Sequence, residues 1–230
     1  MKRLSLVLIV MIGFLMNSCS DEEPMNPKIS LEMSAINTKS TLARNNAVVV
    51  FTDFKISIRD VVFKNDNDPM SNLDTDEVQF RGPYHVDLLD NTDAITQTIG
   101  ETIVPNGMYK EMRFKFHKDE NLPQSDKLYD RSIYIEGTID GIPFVFWHDT
   151  SENLDIGRGT GVLVQNGSVN FSVQFDISQF LNSFHQIDMS EAQDQNNDGV
   201  IEIYPNDQDG NQDMADKLKD NIKATADLMH

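Results

Sequence analysis

Between Asp194 and Glu202 the chain reads Asp-Gln-Asn-Asn-Asp-Gly-Val-Ile-Glu, a spacing that can aim oxygen donors at one point. Side-chain oxygens at Asp194, Asn196 and Asp198, the carbonyl of Val200 and the carboxylate of Glu202 fall on alternate residues. Gly199 permits the sharp turn that brings them inward, and calcium is the ion that collects such hard oxygens. Further on, Asp207 and Asp209 repeat the Asp-x-Asp-Gly spacing and Asp213 follows, so one ion or two can be shared between the turns. Seven carboxylates between Glu191 and Asp213 repel one another if held close without a cation. The segment offers neither cysteine nor histidine, which disfavours zinc. The alternative is a solvated acidic loop folded on Asx turns, which needs no metal.

Other reactive side chains are scattered. His148 follows Trp147 in Phe146-Trp147-His148-Asp149, and the two are candidates to line a ligand pocket. His85, His117 and His185 are isolated, and no metalloprotease helix motif or nucleophile elbow occurs. Gly157-Arg158-Gly159-Thr160-Gly161 lacks the lysine of a phosphate-binding loop and reads as a flexible hairpin or loop. A carboxylate-dependent hydrolase stays open only if acids such as Asp60, Asp87, Glu136 and Asp140 meet in space. Trp147 is the single tryptophan, so a glycan platform of stacked indoles is disfavoured, although Tyr84, Tyr109, Tyr129 and Tyr134 can substitute.

Cys19 is the only cysteine and follows Lys2, Arg3 and an apolar run from Leu4 to Met16 that is too short to span a bilayer. Leu15-Met16-Asn17-Ser18-Cys19 resembles the lipobox of bacterial lipoproteins. That resemblance implies cleavage after Ser18, with residues 1–18 as signal peptide, and a lipidated Cys19 anchored through more than one acyl chain. The alternative is a secreted protein with a stray cysteine. Residues 19–29 then form an acidic tether, and Ser20-Asp21-Glu22-Glu23 is similar to the surface-export signal of Bacteroidetes lipoproteins. The resemblance implies an outer-membrane location facing the cell exterior.

The net charge of −18 makes a nucleic-acid partner untenable and leaves membrane contact to the lipid alone. With one cysteine, no intramolecular disulfide can hold the fold. Strands are expected over Ala47–Thr52, Phe54–Phe63, Glu77–Phe80, His85–Leu89, Met108–Phe116, Ser132–Ile139, Pro143–His148 and Ser168–Phe175, because short apolar or alternating runs end at Gly, Pro, Asn and Asp. Lys55-Ile56-Ser57-Ile58-Arg59 alternates, as one dry and one wet face require. Asp140-Gly141 is a two-residue hairpin turn and Asn106-Gly107 a second turn. The fold class is therefore mainly β: an antiparallel β-sandwich over residues 30–185. Residues 186–230 add the acidic segment and a short C-terminal amphipathic α-helix packed on the same domain. Asp176 is placed to cap a short helical turn. Met214, Leu218, Ile222 and Met229 share one face of the terminal helix, which starts at Asn211 or Asp213.

Tyr84-His85-Val86-Asp87-Leu88-Leu89, Val104-Pro105-Asn106-Gly107-Met108-Tyr109 and Met112-Arg113-Phe114 are similar to uncharacterised β-sandwich lipoproteins of Bacteroidetes. The Asp194–Glu202 spacing resembles the calcium loop of EF-hand and dockerin-like modules, except that Pro205 stands where the bidentate glutamate belongs. The expectation is a non-enzymatic envelope lipoprotein, a calcium-stabilised module that binds a glycan, a peptide or an envelope protein. An accessory subunit of an outer-membrane complex is the alternative.

Overall fold

The computed structural model describes residues 26–38, 42–44, 47–74 and 76–230. The leader, Cys19 and the acidic run behind it lie outside the described residues. Thirteen strands and one helix follow in chain order. They are β1 Lys28–Ile36, β2 Leu42–Arg44, β3 Ala47–Asn65, β4 Tyr84–Asp90, β5 Asp93–Ala94, β6 Thr96–Ile103 and β7 Gly107–Phe116. After them come β8 Ile133–Ile139, β9 Ile142–His148, β10 Asn153–Val164, β11 Ser168–Asp176, β12 Ile201–Ile203, α1 Gln212–Ala224 and β13 Ala226–Met229. One sheet has the order β13-β11-β1-β6; the other runs β10-β7-β3-β8-β9-β12, with β2 and β4 also on β3 and β5 on β4.

The two sheets form a β-sandwich because their alternating strands turn one apolar face inward. Phe54 on β3 meets Phe175 on β11 edge to face at 5.5 Å, and Phe63 meets Phe171 at 5.6 Å, so aromatic pairs from opposite sheets fill the core. β3 is the spine. It pairs with β8 over Val49–Ile56 and then with β7 over Ile58–Asn65 along one edge, and with β4 along the other, and it runs unbroken through Asp53, where two separate strands are expected. Asp140 and Gly141, with φ of 51° and 84°, make the expected left-handed hairpin turn between β8 and β9.

Several local expectations give way. β1 and β6 are additional strands: β1 alternates polar and apolar residues over Lys28–Ala35 and buries Ile29, Leu31, Met33 and Ala35, whereas β6 is mixed in character and is held by its pairing with β1. Gly157–Gly161 is part of β10, with an irregular register between Gly157 and Val162, rather than a free loop. Only Phe80 of the Glu77–Phe80 run pairs, through an isolated bridge to Val61. Two pairings are parallel: β1 with β11 and β12 with β9. Met229 leaves the helix face, because α1 ends at Ala224 and the chain re-enters as β13 beside β11. The 186–230 segment therefore adds one strand to each sheet.

α1 buries Ala215, Leu218 and Ile222 against β9, β12 and the turn Ile177–Gln179 that Asp176 caps through Ser178 N. Its polar side is fastened by charge. Lys219 donates to Glu152 at 2.9 Å and Lys223 donates to the same carboxylate. His148 Nε2 lies 3.2 Å from Asp216, and His185 Nε2 lies 3.4 Å from Asp220. Asn221, fully buried, donates to the carbonyls of Phe180 and His185 and accepts from His185 N.

Hydrogen bonds from Lys223 and Lys219 draw the Glu152 carboxyl down to about 2. A depressed folded-state value means that the stabilisation is complete above the unfolded carboxyl value near pH 4.5 and fades as pH falls toward 2. The melting-temperature gap between the protein and Glu152→Gln is expected to be constant from pH 7 to about 5 and to close below pH 3. A gap that persists unchanged at pH 2.5 would count against the helix clamp.

Candidate calcium loop and the aromatic face beside it

The second acidic turn builds the first. The carboxylate of Asp209 is fully buried and accepts from Gln195 N at 3.0 Å, Asn196 N at 3.1 Å and Glu202 N at 2.9 Å. A buried charge is tolerated when several donors aim at it, and here three backbone amides do so. Asp209 thereby ties the entrance of the first loop to its exit. Asp207 accepts from Asn211 N at 2.9 Å and Tyr204 N at 3.3 Å. Asn211 sits at the N-cap of α1 without capping it; its amide instead donates to Gln193 O and Glu202 O and accepts from Gln193 N. Gly210 holds φ of 82°, and a Cβ there would stand 2.8 Å from Gln195 Nε2.

On this base the Asp194–Glu202 loop is wound tightly. Asn197 and Gly199 take left-handed φ of 59° and 89°. Asp194 Oδ2 accepts from Gly199 N at 3.0 Å, Asn196 Oδ1 from Asp198 N at 2.9 Å, and Asp198 Oδ1 from Val200 N at 2.9 Å. The Asn196 amide lies between two carboxylates, 3.2 Å from Asp198 Oδ2 and 3.5 Å from Glu202 Oε2. Asp194 Oδ1 is buried and has no hydrogen-bond partner.

Asp194, Asn196, Asp198, Val200 and Glu202 are thus gathered in one turn, with Asp207 and Asp209 beneath them as backbone acceptors. Asp213 stands apart, exposed in the first turn of α1, where its charge complements the helix dipole. Among the described residues no three His, Cys, Asp or Glu side chains are grouped as a metal centre would group them. The loop's donors are mixed: carboxylates, one side-chain amide and one carbonyl, a set that suits a hard cation retaining water.

The loop leads into an aromatic face. Along β9, Phe144, Phe146 and His148 turn inward and Trp147 outward. Trp147 stacks on Tyr204 with centroids 4.7 Å apart and planes 18° apart, and the Arg131 guanidinium lies 5.1 Å from the indole. Burial and then a hydrogen bond to Glu202 push the Tyr204 hydroxyl up to about 12. Trp147 is therefore linked through Tyr204 to the loop. His148 is committed to Asp216 and the helix, so the expected Trp147-His148 pocket does not form as a pair.

The four scattered acids do not converge. Asp60 pairs with Arg59, Asp87 with Lys55, and Glu136 with Lys127, while Asp140 accepts from Val48 N. Lys127 joins Glu136 to Asp53 at 2.8 and 2.7 Å. Burial alone would raise the Glu136 carboxyl, but hydrogen bonds from Lys127 and Tyr134 outweigh it and hold the group below its ordinary value. His85 Nε2 lies 3.1 Å from Asp119, and Ser57 is its cross-strand neighbour. The Ser57 hydroxyl is fully buried and makes no hydrogen bond, so this trio presents no nucleophile.

Comparison with known proteins yields no matching family model, no matching curated protein and no matching solved structure. The scaffold roles of Asp209 and Asn211 escaped sequence reasoning, which read the repeated spacing as a second ligand set. Asp209→Asn removes one acceptor oxygen and turns an amide against buried donors, with an expected loss of about 2–4 kcal/mol in urea unfolding. Asp213→Asn should change stability by less than about 0.5 kcal/mol. Equal losses from the two would remove the scaffold role.

Proposed function

We propose that this chain is an outer-membrane lipoprotein, anchored through Cys19, whose β-sandwich is a non-catalytic binding module stabilised by calcium at Asp194–Glu202. The observation that carries the calcium reading is Asp194 Oδ1, a carboxylate oxygen buried without a partner inside a loop that is already wound. Burying such an atom costs several kcal/mol unless something meets it, and a cation does so directly. Asp194, Asn196, Asp198, the Val200 carbonyl and Glu202 would hold the ion, with water completing the shell. Bound calcium supplies charge neutralisation and a crosslink between loop and β12; it has no chemical step to perform.

The topology supports display. β3 runs from the Asp140-Gly141 hairpin at one end to Asn65, opposite Tyr109, at the other. β12 enters parallel to β9 from that hairpin end, so the acidic loop lies there. Pro27, where the tether meets the fold, accepts from Val104 N at the opposite end. Residues remote from the anchor face outward, and the Trp147–Tyr204 stack with Arg131 beside it supports binding as the reading. Among the described residues no helix is long and apolar enough to cross a membrane.

Calcium added to the EDTA-treated full-length protein is expected to raise its melting temperature, an ion at 100 times its dissociation constant contributing about 2.7 kcal/mol. Trp147 emission should shift in the same titration, because calcium draws Glu202 away from Tyr204. Asp194→Asn should lose both responses. A melting temperature indifferent to EDTA and calcium would reduce the loop to a self-satisfied turn.

Anchoring has its own readout. Cells grown with labelled palmitate should yield a labelled protein that Cys19→Ser abolishes, and protease added to intact cells should remove the wild-type chain. Full protection from protease would turn the sandwich toward the periplasm.

A further inference from the structure

At the tether end of the sandwich, a cleft of about 430 Å³ opens between the loop that follows β3 and the β6–β7 connection. Its size is that of a site for a small molecule or a single long side chain. Phe63 and Val104, both buried, supply an apolar floor, and Ile103, 59% exposed, forms a greasy rim. Asp68, Asp76 and Glu77 stand around the same opening, and no Lys, Arg or His lines it. Lys64 and Lys110, which flank it in sequence, are held by Asp66 at 3.7 and 2.8 Å. Asp76 accepts from Asn72 N and Asp68 from Met70 N, which fixes both acids in place. Glu77 is exposed and makes no hydrogen bond or ion pair with the described residues.

The three acids do not form a metal-holding group. They are spread around an apolar floor, an arrangement that fits a cation with its charge at the end of a hydrocarbon stem better than a bare ion. We infer that this cleft is a binding site for an aliphatic ammonium group, presented either by a free alkylamine or by a lysine side chain of a partner peptide. The stem lies on Phe63, Val104 and Ile103 while the ammonium faces Glu77 and Asp68. The excess of negative charge over the whole chain steers such cations toward it. This names the ligand class of the binding role proposed above and rests on that reading, but not on calcium, since the acidic loop lies at the other end of β3.

The test is a titration of the ¹⁵N-labelled full-length protein, followed by amide chemical shifts, at low salt. The probes are n-butylamine, a capped pentapeptide with a central lysine, its glutamate counterpart, and calcium chloride. Saturable shifts confined to residues 76–79 and 102–104 with the amine or the lysine peptide, and absent with the glutamate peptide, are expected. Binding by the amine alone assigns a free metabolite; tighter binding by the peptide assigns a protein partner. Glu77→Gln should weaken the affinity by up to about fivefold, the scale of one exposed charge pair, and Ile103→Ser should weaken it further. Glu191→Gln, outside the cleft, should leave it unchanged. Shifts spread over every acidic loop, the same shifts with calcium, or indifference to Glu77→Gln would overturn the assignment. A failed calcium response at residues 194–202 in the same spectra would strike the loop alone.

Discussion

With 37 acidic side chains against 19 lysines and arginines, this fold cannot neutralise its carboxylates with cations one for one. The surplus is absorbed by the backbone. Asp176 and Asp188 cap 3₁₀ turns, Asp119 and Asp126 accept from amides two residues on, and Asp209 gathers three amides at once. Each such bond stabilises the turn it closes. Turns normally left to glycine and proline are therefore wound on aspartate, and the acidity of the chain is what shapes its loops.

That economy explains why one buried oxygen matters. Asp53 Oδ1 and Asp130 Oδ1 are likewise buried without a hydrogen bond, but they lie 3.7 Å from Lys55 and 2.7 Å from Lys118, whereas among the described residues no lysine or arginine pairs with Asp194. The bases that do exist are spent where two elements must be joined. Lys219 and Lys223 converge on Glu152 to fasten α1, and Lys127 bridges Asp53 and Glu136 across β3 and β8. Among the described residues no lysine or arginine is paired within the Asp194–Glu202 loop or lines the cleft between the loop after β3 and the β6–β7 connection, and these are the two places where the proposed cations would act.

How much of this could be read from the sequence depended on periodicity. The alternation in Lys55–Arg59 and the run Met108–Phe116 specified strands of β3 and β7, and Asp140-Gly141 specified the hairpin, because these signals are local. β1 was itself legible, since Lys28–Ala35 alternates strictly, and was passed over; β6 escaped notice because its residues are mixed in character and its strand state is imposed by β1, far along the chain. Met229 misled for the same reason: its spacing from Ile222 fits a helix, but the edge of β11 claims it. The winding of Asp194, Asn196 and Asp198 into one turn was legible from spacing, although among the described residues no carboxylates are grouped as a metal centre would group them. The use of Asp209 as a scaffold was not, since a carboxylate that accepts amides and one that ligates a metal look alike in sequence. The cleft was equally hidden, being assembled from three separated segments.

The C-terminal segment finally binds these features into one cooperative unit. β12 adds to the larger sheet and β13 to the smaller, with α1 between them. Anything that tightens the Asp194–Glu202 loop therefore tightens β12, and through the Tyr204–Trp147 stack it reaches Arg131 and the loop over β3 and β8. Detaching the helix would pull one strand from each sheet and expose edges on both. A cation at the loop would therefore stabilise more than the loop, because Glu202 lies on β12, which is paired to β9, and Asp209 ties that strand to the loop's entrance.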